Sequence, residues 1–390
     1  MVSGWYGHGN SGDEAILIVL LQQLARLNIH RTYVLTSRPD EVTRIHGHLG
    51  ATGVRDFEMV GQLGLQNLLR GCLGPKLRLL RGAKVFILGG GSLLRDNTTW
   101  RNLWRLVDDV FLARLFGVPV FFYALGIGPF RSWAGKRIIA LAARCAQTIT
   151  VREEASAALL RRLGIKAERI TVVTDPAFLL DDMQPDLAEN LAGLKEFRSS
   201  HRRTLFVYPA VSITHPPLAP HDDRHVAALG AGLRRLCQED GWAVVLVPMW
   251  RSGGDDDLAV SYRIQSAIGP GCAVHVVQAA LEPAAIRALT ALATLNIAIR
   301  LHAMIYAASL GMPSVALNYE PKVSANAEKF DLLDYLVGFG PGCGDQMVTA
   351  VRLLETRLPL ETQRLQTISS GLRNSAVDTF TRLATLLDNQ

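Results

Sequence analysis

Ala293-Thr294-Leu295-Asn296-Ile297-Ala298-Ile299-Arg300-Leu301-His302-Ala303 is the stretch that decides the fold. Its first seven residues are largely apolar and read as a buried strand. A cation and an imidazole then stand where that strand should stop. A helical period follows from Ala303 to Leu310, and Gly311-Met312-Pro313 breaks it. Ser314–Asn318 reads as a second strand, followed by the loop Tyr319-Glu320-Pro321-Lys322. Strand, helix and strand make one βαβ unit, whose right-handed crossover puts both C-terminal strand ends on one side. Open α/β sheets bind ligands on that side. Arg300, His302 and Lys322 are therefore expected to face one crevice. Two fixed cations and one proton carrier suit a small dianion that needs proton transfer.

The same rhythm extends in both directions. Upstream, apolar strands are expected at Thr32–Thr36, Lys84–Leu88, Val118–Tyr123, Thr148–Val151 and Ile170–Val173, with helical periods between them. A second series comprises Thr204–Tyr208, Ala243–Pro248, Ala273–Val277, Leu295–Ile299 and Ser314–Asn318. The polar stretch between the series is read as a linker. The expected organisation is a Rossmann-like domain over 1–180, a linker over 181–203 and a second Rossmann-like domain over 204–358. A C-terminal helix over 359–390 has no strand after it and is free to cross back over the first domain.

Composition narrows the function. The chain has 390 residues, 49% hydrophobic and 19% charged, which describes a packed globular protein. The net charge of +6 is modest and no basic run is interleaved with aromatics, so nucleic acid is not expected as a partner. Five cysteines (Cys72, Cys145, Cys237, Cys272, Cys343) stand far apart without a CxxC pair, arguing for reduced thiols and a cytoplasmic setting. The opening residues lack the basic and apolar regions of a secretory leader. The uncharged run Leu115–Phe130 is too short and too broken by Gly and Pro to span a bilayer. Basic clusters at Lys76–Arg81 and Arg131–Arg137 are candidates for peripheral contact with the inner face of a membrane. A solvated face explains them equally well.

Two glycine-rich loops close strands of the first domain. Gly4-Trp5-Tyr6-Gly7-His8-Gly9-Asn10-Ser11-Gly12-Asp13-Glu14 opens the first helix and contains GxGxxG. A dinucleotide loop is one reading, with Arg38 near an NADP phosphate. Against it, only Met1–Ser3 precede Gly4, and Asp13 and Glu14 occupy the place of the phosphates. Carboxylates there suit a first helical turn. Gly89-Gly90-Gly91-Ser92-Leu93-Leu94-Arg95-Asp96 follows Lys84–Leu88, where glycines let backbone approach a ligand closely. Asn10, Asp13, Glu14, Gly90, Gly91, Ser92, Arg95 and Asp96 are the candidate ligand-binding residues of these loops. Arg152 and Asp175 end two further strands. His221 and His225 have zinc-like i, i+4 spacing but no third ligand, so no metal is expected.

These loops, taken in order, resemble the polysaccharide pyruvyltransferase family. The resemblance is carried by Gly4–Glu14, Gly89–Asp96, Arg152-Glu153, Asp175-Pro176-Ala177-Phe178, Arg300-Leu301-His302-Ala303 and Tyr319-Glu320-Pro321-Lys322-Val323. It runs from about Gly4 to Phe330 and is nearest the branch that pyruvylates cell-wall polymers of bacteria with S-layers. It implies an α/β fold of two Rossmann-like domains with parallel sheets, similar to GT-B glycosyltransferases, with the site in the interdomain cleft. It also implies transfer of pyruvate from phosphoenolpyruvate, the donor substrate, to an N-acetylmannosamine of a lipid-linked precursor as a ketal. No cofactor is implied.

Phosphoenolpyruvate carries a phosphate and a carboxylate, and arginine offers each a bidentate fork. The resemblance assigns Arg152, Arg300 and Lys322 to these groups. His302 is the expected acid, since histidine ordinarily titrates near neutral pH. Asp13, Glu14 and Asp96 are candidate bases. Three competing readings are a glycosyltransferase using a nucleotide sugar, an NADP-dependent oxidoreductase and a non-catalytic scaffold.

Overall fold

In the computed structural model, residues 1–56, 73–91, 93–95, 100–130, 132–181, 183–210, 223–252 and 255–388 are described. The chain forms two compact units. The first holds Met1–His8, Asp13–Pro176 and Asn374–Gln390; the second holds Gly9–Gly12 and Ala177–Arg373.

The first unit is built on a seven-stranded parallel sheet. Its strands are β1 (Val2–Ser3), β2 (Thr32–Thr36), β3 (Ala51–Arg55), β4 (Phe86–Gly89), β5 (Val120–Leu125), β6 (Thr148–Val151) and β7 (Ile170–Val172). The spatial order is β3-β2-β1-β4-β5-β6-β7. Strands β4 and β5 are wholly buried, as helix-covered parallel strands must be. The two-residue β1 is central: Val2 aligns with Val34 on one side and Ile87 on the other. Strand order reverses between β1 and β4, so the loops after these strands, both rich in glycine, flank the switch point. The last residues of the C-terminal helix belong to this unit. Ser375 Oγ accepts from the Thr174 backbone N–H at 3.1 Å, and the Phe380 ring lies 5.8 Å from Tyr123.

The second unit has a six-stranded parallel sheet of β8 (Thr204–Tyr208), β9 (Ala243–Leu246), β12 (Val274–Val276), β13 (Leu295–Ala298), β14 (Ser314–Asn318) and β15 (Leu336–Gly338). A small antiparallel ribbon, β10 (Arg251–Ser252) and β11 (Asp255–Asp256), lies between β9 and β12 in the chain. The sheet order is β12-β9-β8-β13-β14-β15, so its switch point lies between β8 and β13. The Arg300 loop leaves β13 there.

Three features differ from the sequence reading. The stretch 181–203, read as a linker, carries helices Pro185–Leu191 and Lys195–Ser200 and falls within the second unit. The final helix spans Cys343–Asp388 and continues through Pro359, where the sequence reading began it. Lys76, counted in a basic surface cluster, is 3% exposed and bonds to Asp56 and Asp109, each at 2.8 Å. Arg131 and His221 lie outside the described residues. Among the described residues no helix is long and apolar enough to cross a membrane.

Candidate active site

In the second unit, Arg300 is the N-cap of the helix Leu301–Ser309 and His302 stands in that helix's first turn. The Arg300 guanidinium is held by a residue that the sequence did not flag. Asp257 accepts from Arg300 Nε at 3.1 Å and Nη2 at 2.5 Å. The same carboxylate accepts from the backbone N–H groups of Met249 (3.1 Å) and Trp250 (2.9 Å). The Asp257 side chain is 1% exposed and that of Arg300 14%. Burial pushes the Asp257 carboxyl above its ordinary range, against the pull of Arg300 and the two N–H groups. The Trp250 ring lies 5.1 Å from the Arg300 guanidinium carbon. Asp257 thus engages two of the guanidinium N–H groups and fixes the fork in orientation.

His302 packs on Gly12, which belongs to the same unit; a side chain at Gly12 would collide with the imidazole. Residues around Gly12 are tied down. Asn10 bridges to Trp250, its side-chain oxygen accepts from Gly12 N–H at 3.1 Å, and Ser11 N–H donates to the Met249 carbonyl at 3.0 Å. Buried Tyr306 donates to the Ser11 carbonyl at 3.0 Å, with Ser11 Oγ also 3.0 Å from its phenol oxygen. One turn of helix separates Tyr306 from His302, so the element that carries the imidazole also anchors the loop against it. After β14, Lys322 pairs with Glu320 at 2.7 Å and lies 5.6 Å from the Tyr319 ring centre.

The first unit gathers its candidates at the switch point of its own sheet. Tyr6 donates to the Gly89 carbonyl at 2.6 Å. Gly90 and Gly91 have φ of 85° and 86°, a region closed to most side chains. A Cβ at Gly90 would strike the Tyr6 phenol, and one at Gly91 would lie 2.6 Å from Asp13 Oδ1. Burial and the nearby Asp13 and Glu14 charges hold the Tyr6 phenol well above its ordinary pKa, so it stays a neutral donor. Arg152, at the end of β6, forms a buried ion pair with Asp175. Burial opposes its charge, but Asp175 and Glu153 outweigh that effect and raise its pKa.

Glu14, a candidate base, also braces the loop that precedes it. Its Oε1 accepts from the Gly7 and His8 backbone N–H groups at 2.8 and 3.2 Å, and Oε2 lies 2.8 Å from His46 Nε2. One carboxylate oxygen therefore holds the glycine loop, and the other ties it to the helix Pro39–His46. Ser92 and Asp96 lie outside the described residues, and no further contact of Arg95 enters the site described above. His225 is buried and stacks on Phe339 at 4.4 Å. The described residues hold no cluster of His, Cys, Asp or Glu suited to a metal.

Sequence reasoning missed Asp257, Trp250, Tyr306, Tyr6 and His46. Asp257 ends the acidic run Asp255-Asp256-Asp257, which reads as an ordinary helix start. Its pairing with Arg300 crosses 43 residues and leaves no local signal.

The chain thus has two parallel α/β units, with chemistry-bearing side chains at the switch point of each sheet. The model of the polysaccharide pyruvyl transferase family matches residues 10–321, and the chain belongs to that family. Solved structures with the same fold include UDP-GlcNAc 2-epimerase from Neisseria meningitidis bound to UDP-GlcNAc. It is 13% identical, with a TM-score of 0.62 and 98% of each chain covered. Anabaena HepE in complex with UDP and glucose is 14% identical, with a TM-score of 0.62 and coverage of 100% of this chain and 99% of that one. A glycosyltransferase from Rickettsia africae is 11% identical, with a TM-score of 0.61 and coverage of 100% and 95%. At these identities the likeness concerns the fold, which is GT-B-like.

Proposed function

We propose that this transferase moves pyruvate from phosphoenolpyruvate to two hydroxyls of a sugar, forming a ketal and releasing phosphate. The observation that carries the reading is the fixed Arg300–His302 pair at the switch point of the second sheet. A guanidinium clamped by Asp257 presents an oriented positive field to an anion, and Lys322 brings a second cation from the neighbouring strand end. Arg152 is retained as a further candidate for anion binding.

His302 gives a proton to the methylene carbon of phosphoenolpyruvate, and C2 gains oxocarbenium character. One sugar hydroxyl adds to C2 and returns a proton to the base. The C2–O bond to phosphate then breaks, and the second hydroxyl closes the ring with loss of its proton. One phosphate leaves for each ketal formed, and the enol carbon ends as a methyl group. A positioned acid of this kind contributes about 10²–10⁴-fold. The acceptor proposed is an N-acetylmannosamine of a lipid-linked cell-wall precursor, of the type that anchors S-layers.

The test combines purified protein, phosphoenolpyruvate and a synthetic N-acetylmannosaminyl disaccharide, with phosphate release and product mass as readouts. Phosphate release with the mass gain of a pyruvate ketal, lost in His302→Ala, supports the reading. No turnover, with thermal stabilisation by UDP and none by phosphoenolpyruvate, would replace it with nucleotide-sugar chemistry.

A further inference from the structure

The outer face of the first unit carries aromatic and basic side chains that play no part in the chemistry above. Helices Trp100–Leu115 and Trp133–Cys145 pack against each other. They follow the neighbouring strands β4 and β5, so right-handed crossovers place both on one face of the sheet.

On the helix Trp133–Cys145, Ile138, Ile139, Ala142 and Ala143 point into the core. The opposite stripe, at spacings of three and four, is exposed: Trp133, Lys136, Arg137, Leu141 and Arg144. Trp133 is 70% exposed and Leu141 50%, while the Arg137 guanidinium carbon lies 4.7 Å from the Trp133 ring centre. Every charged residue of this helix is basic. On the neighbouring helix, Trp104 and Leu115 are exposed at 44% and 76%, with Phe111 stacked on Trp104 and Arg114 exposed beside them. The two acids of that helix do not offset this. Asp109 turns inward to Lys76, and Asp108 is half-buried under the same ammonium's influence.

We propose that this face binds an anionic lipid bilayer. Exposed tryptophans flanked by leucine and arginine match the level of lipid headgroups, where rings sit among glycerol groups and guanidinium reaches phosphate. The uniform positive sign is complementary to an acidic leaflet. A second copy of the chain is a poorer occupant: across a two-fold axis Lys136, Arg137 and Arg144 would meet their own images. The proposal stands apart from the transferase reading, because neither donor nor acceptor enters it.

The test is sedimentation of the full chain with extruded vesicles of phosphatidylcholine alone and of phosphatidylcholine mixed with phosphatidylglycerol. The chain should sediment with the mixed vesicles, weakly with the neutral ones, and less at raised salt. One basic side chain at an acidic surface is worth about fivefold in partitioning, so Arg137→Glu should weaken binding about 25-fold. Trp133→Glu should abolish it. Both side chains are exposed, so the melting temperature should not move; should one variant melt early, Lys136→Glu gives the same reading. The proposal is overturned by failure of the full chain to bind mixed vesicles, or by binding indifferent to these substitutions. Discovery that Trp133→Glu dissolves a dimer that never binds vesicles would overturn it too.

Discussion

Replacing Asp257 by alanine should be among the most damaging single changes in the second unit. The substitution removes four hydrogen bonds at once, two from the Arg300 guanidinium and two from the Met249 and Trp250 backbone. It also removes the Asp257 charge from beside a guanidinium that is 14% exposed. Breaking a buried pair from one side costs about 3–5 kcal/mol, because the remaining charge stays desolvated. For a unit of this size each kcal/mol moves the melting temperature by about 2–4 °C, so a drop of about 10 °C is expected. Differential scanning calorimetry reads it directly. The double variant Asp257→Leu with Arg300→Met removes both charges and should recover much of the loss, since apolar replacement of a buried pair is often neutral. The reasoning fails if Asp257→Ala melts within about 2 °C of the parent chain, or if the double variant is no more stable than the single. Under the proposed function, Asp257→Asn should also lower turnover more than it lowers stability, because the fork loses its orientation.

Other consequences follow from the same geometry. Gly12→Ala places a methyl group into the His302 ring and should lower phosphate release about 100-fold with the far-ultraviolet circular dichroism unchanged. Gly90→Ala forces a side chain to φ of 85° and into the Tyr6 phenol, and should cost at least about 1–2 kcal/mol in urea unfolding. A pH effect arises where Asp56, Asp108 and Asp109 share the single ammonium of Lys76. Burial, then crowding by the other carboxylates, raises Asp109 to about 7. The folded chain therefore binds this proton more tightly than the unfolded chain. That stabilisation is complete below the ordinary carboxylate pKa and is lost as pH rises through 7. Stability should fall by about 1 kcal/mol between pH 6 and 7 and by only a few tenths beyond, and Asp109→Asn should flatten the dependence of the urea midpoint on pH.

How far the molecule was legible from its sequence depended on burial. Strands β2, β6, β8 and β14 run between the residues their apolar patterns mark, because both faces of a central parallel strand are covered and its sequence shows it. Strands β3 and β15 carried no such signal: Ala-Thr-Gly-Val-Arg at Ala51–Arg55 is an edge strand with exposed positions, and β15 has three residues. The C-terminal helix, expected over 359–390, begins at Cys343 and passes through Pro359. The position of Arg300 and His302 at the end of β13 was visible because an apolar run stops there abruptly. Their partners were not, since Asp257 and Gly12 come from other segments and meet them only through the fold. Lys76 shows the same limit, as a basic cluster in sequence does not reveal which ammonium is buried against carboxylates.

The central claim is that the chain protonates the methylene carbon of phosphoenolpyruvate while joining it to a sugar. Running the transfer in D₂O and weighing the product tests this most directly. The account predicts that the ketal methyl group gains deuterium, with phosphate released in equal amount and no product from His302→Ala. A pyruvylated product without deuterium in its methyl group, or an undiminished yield from His302→Ala, would contradict it.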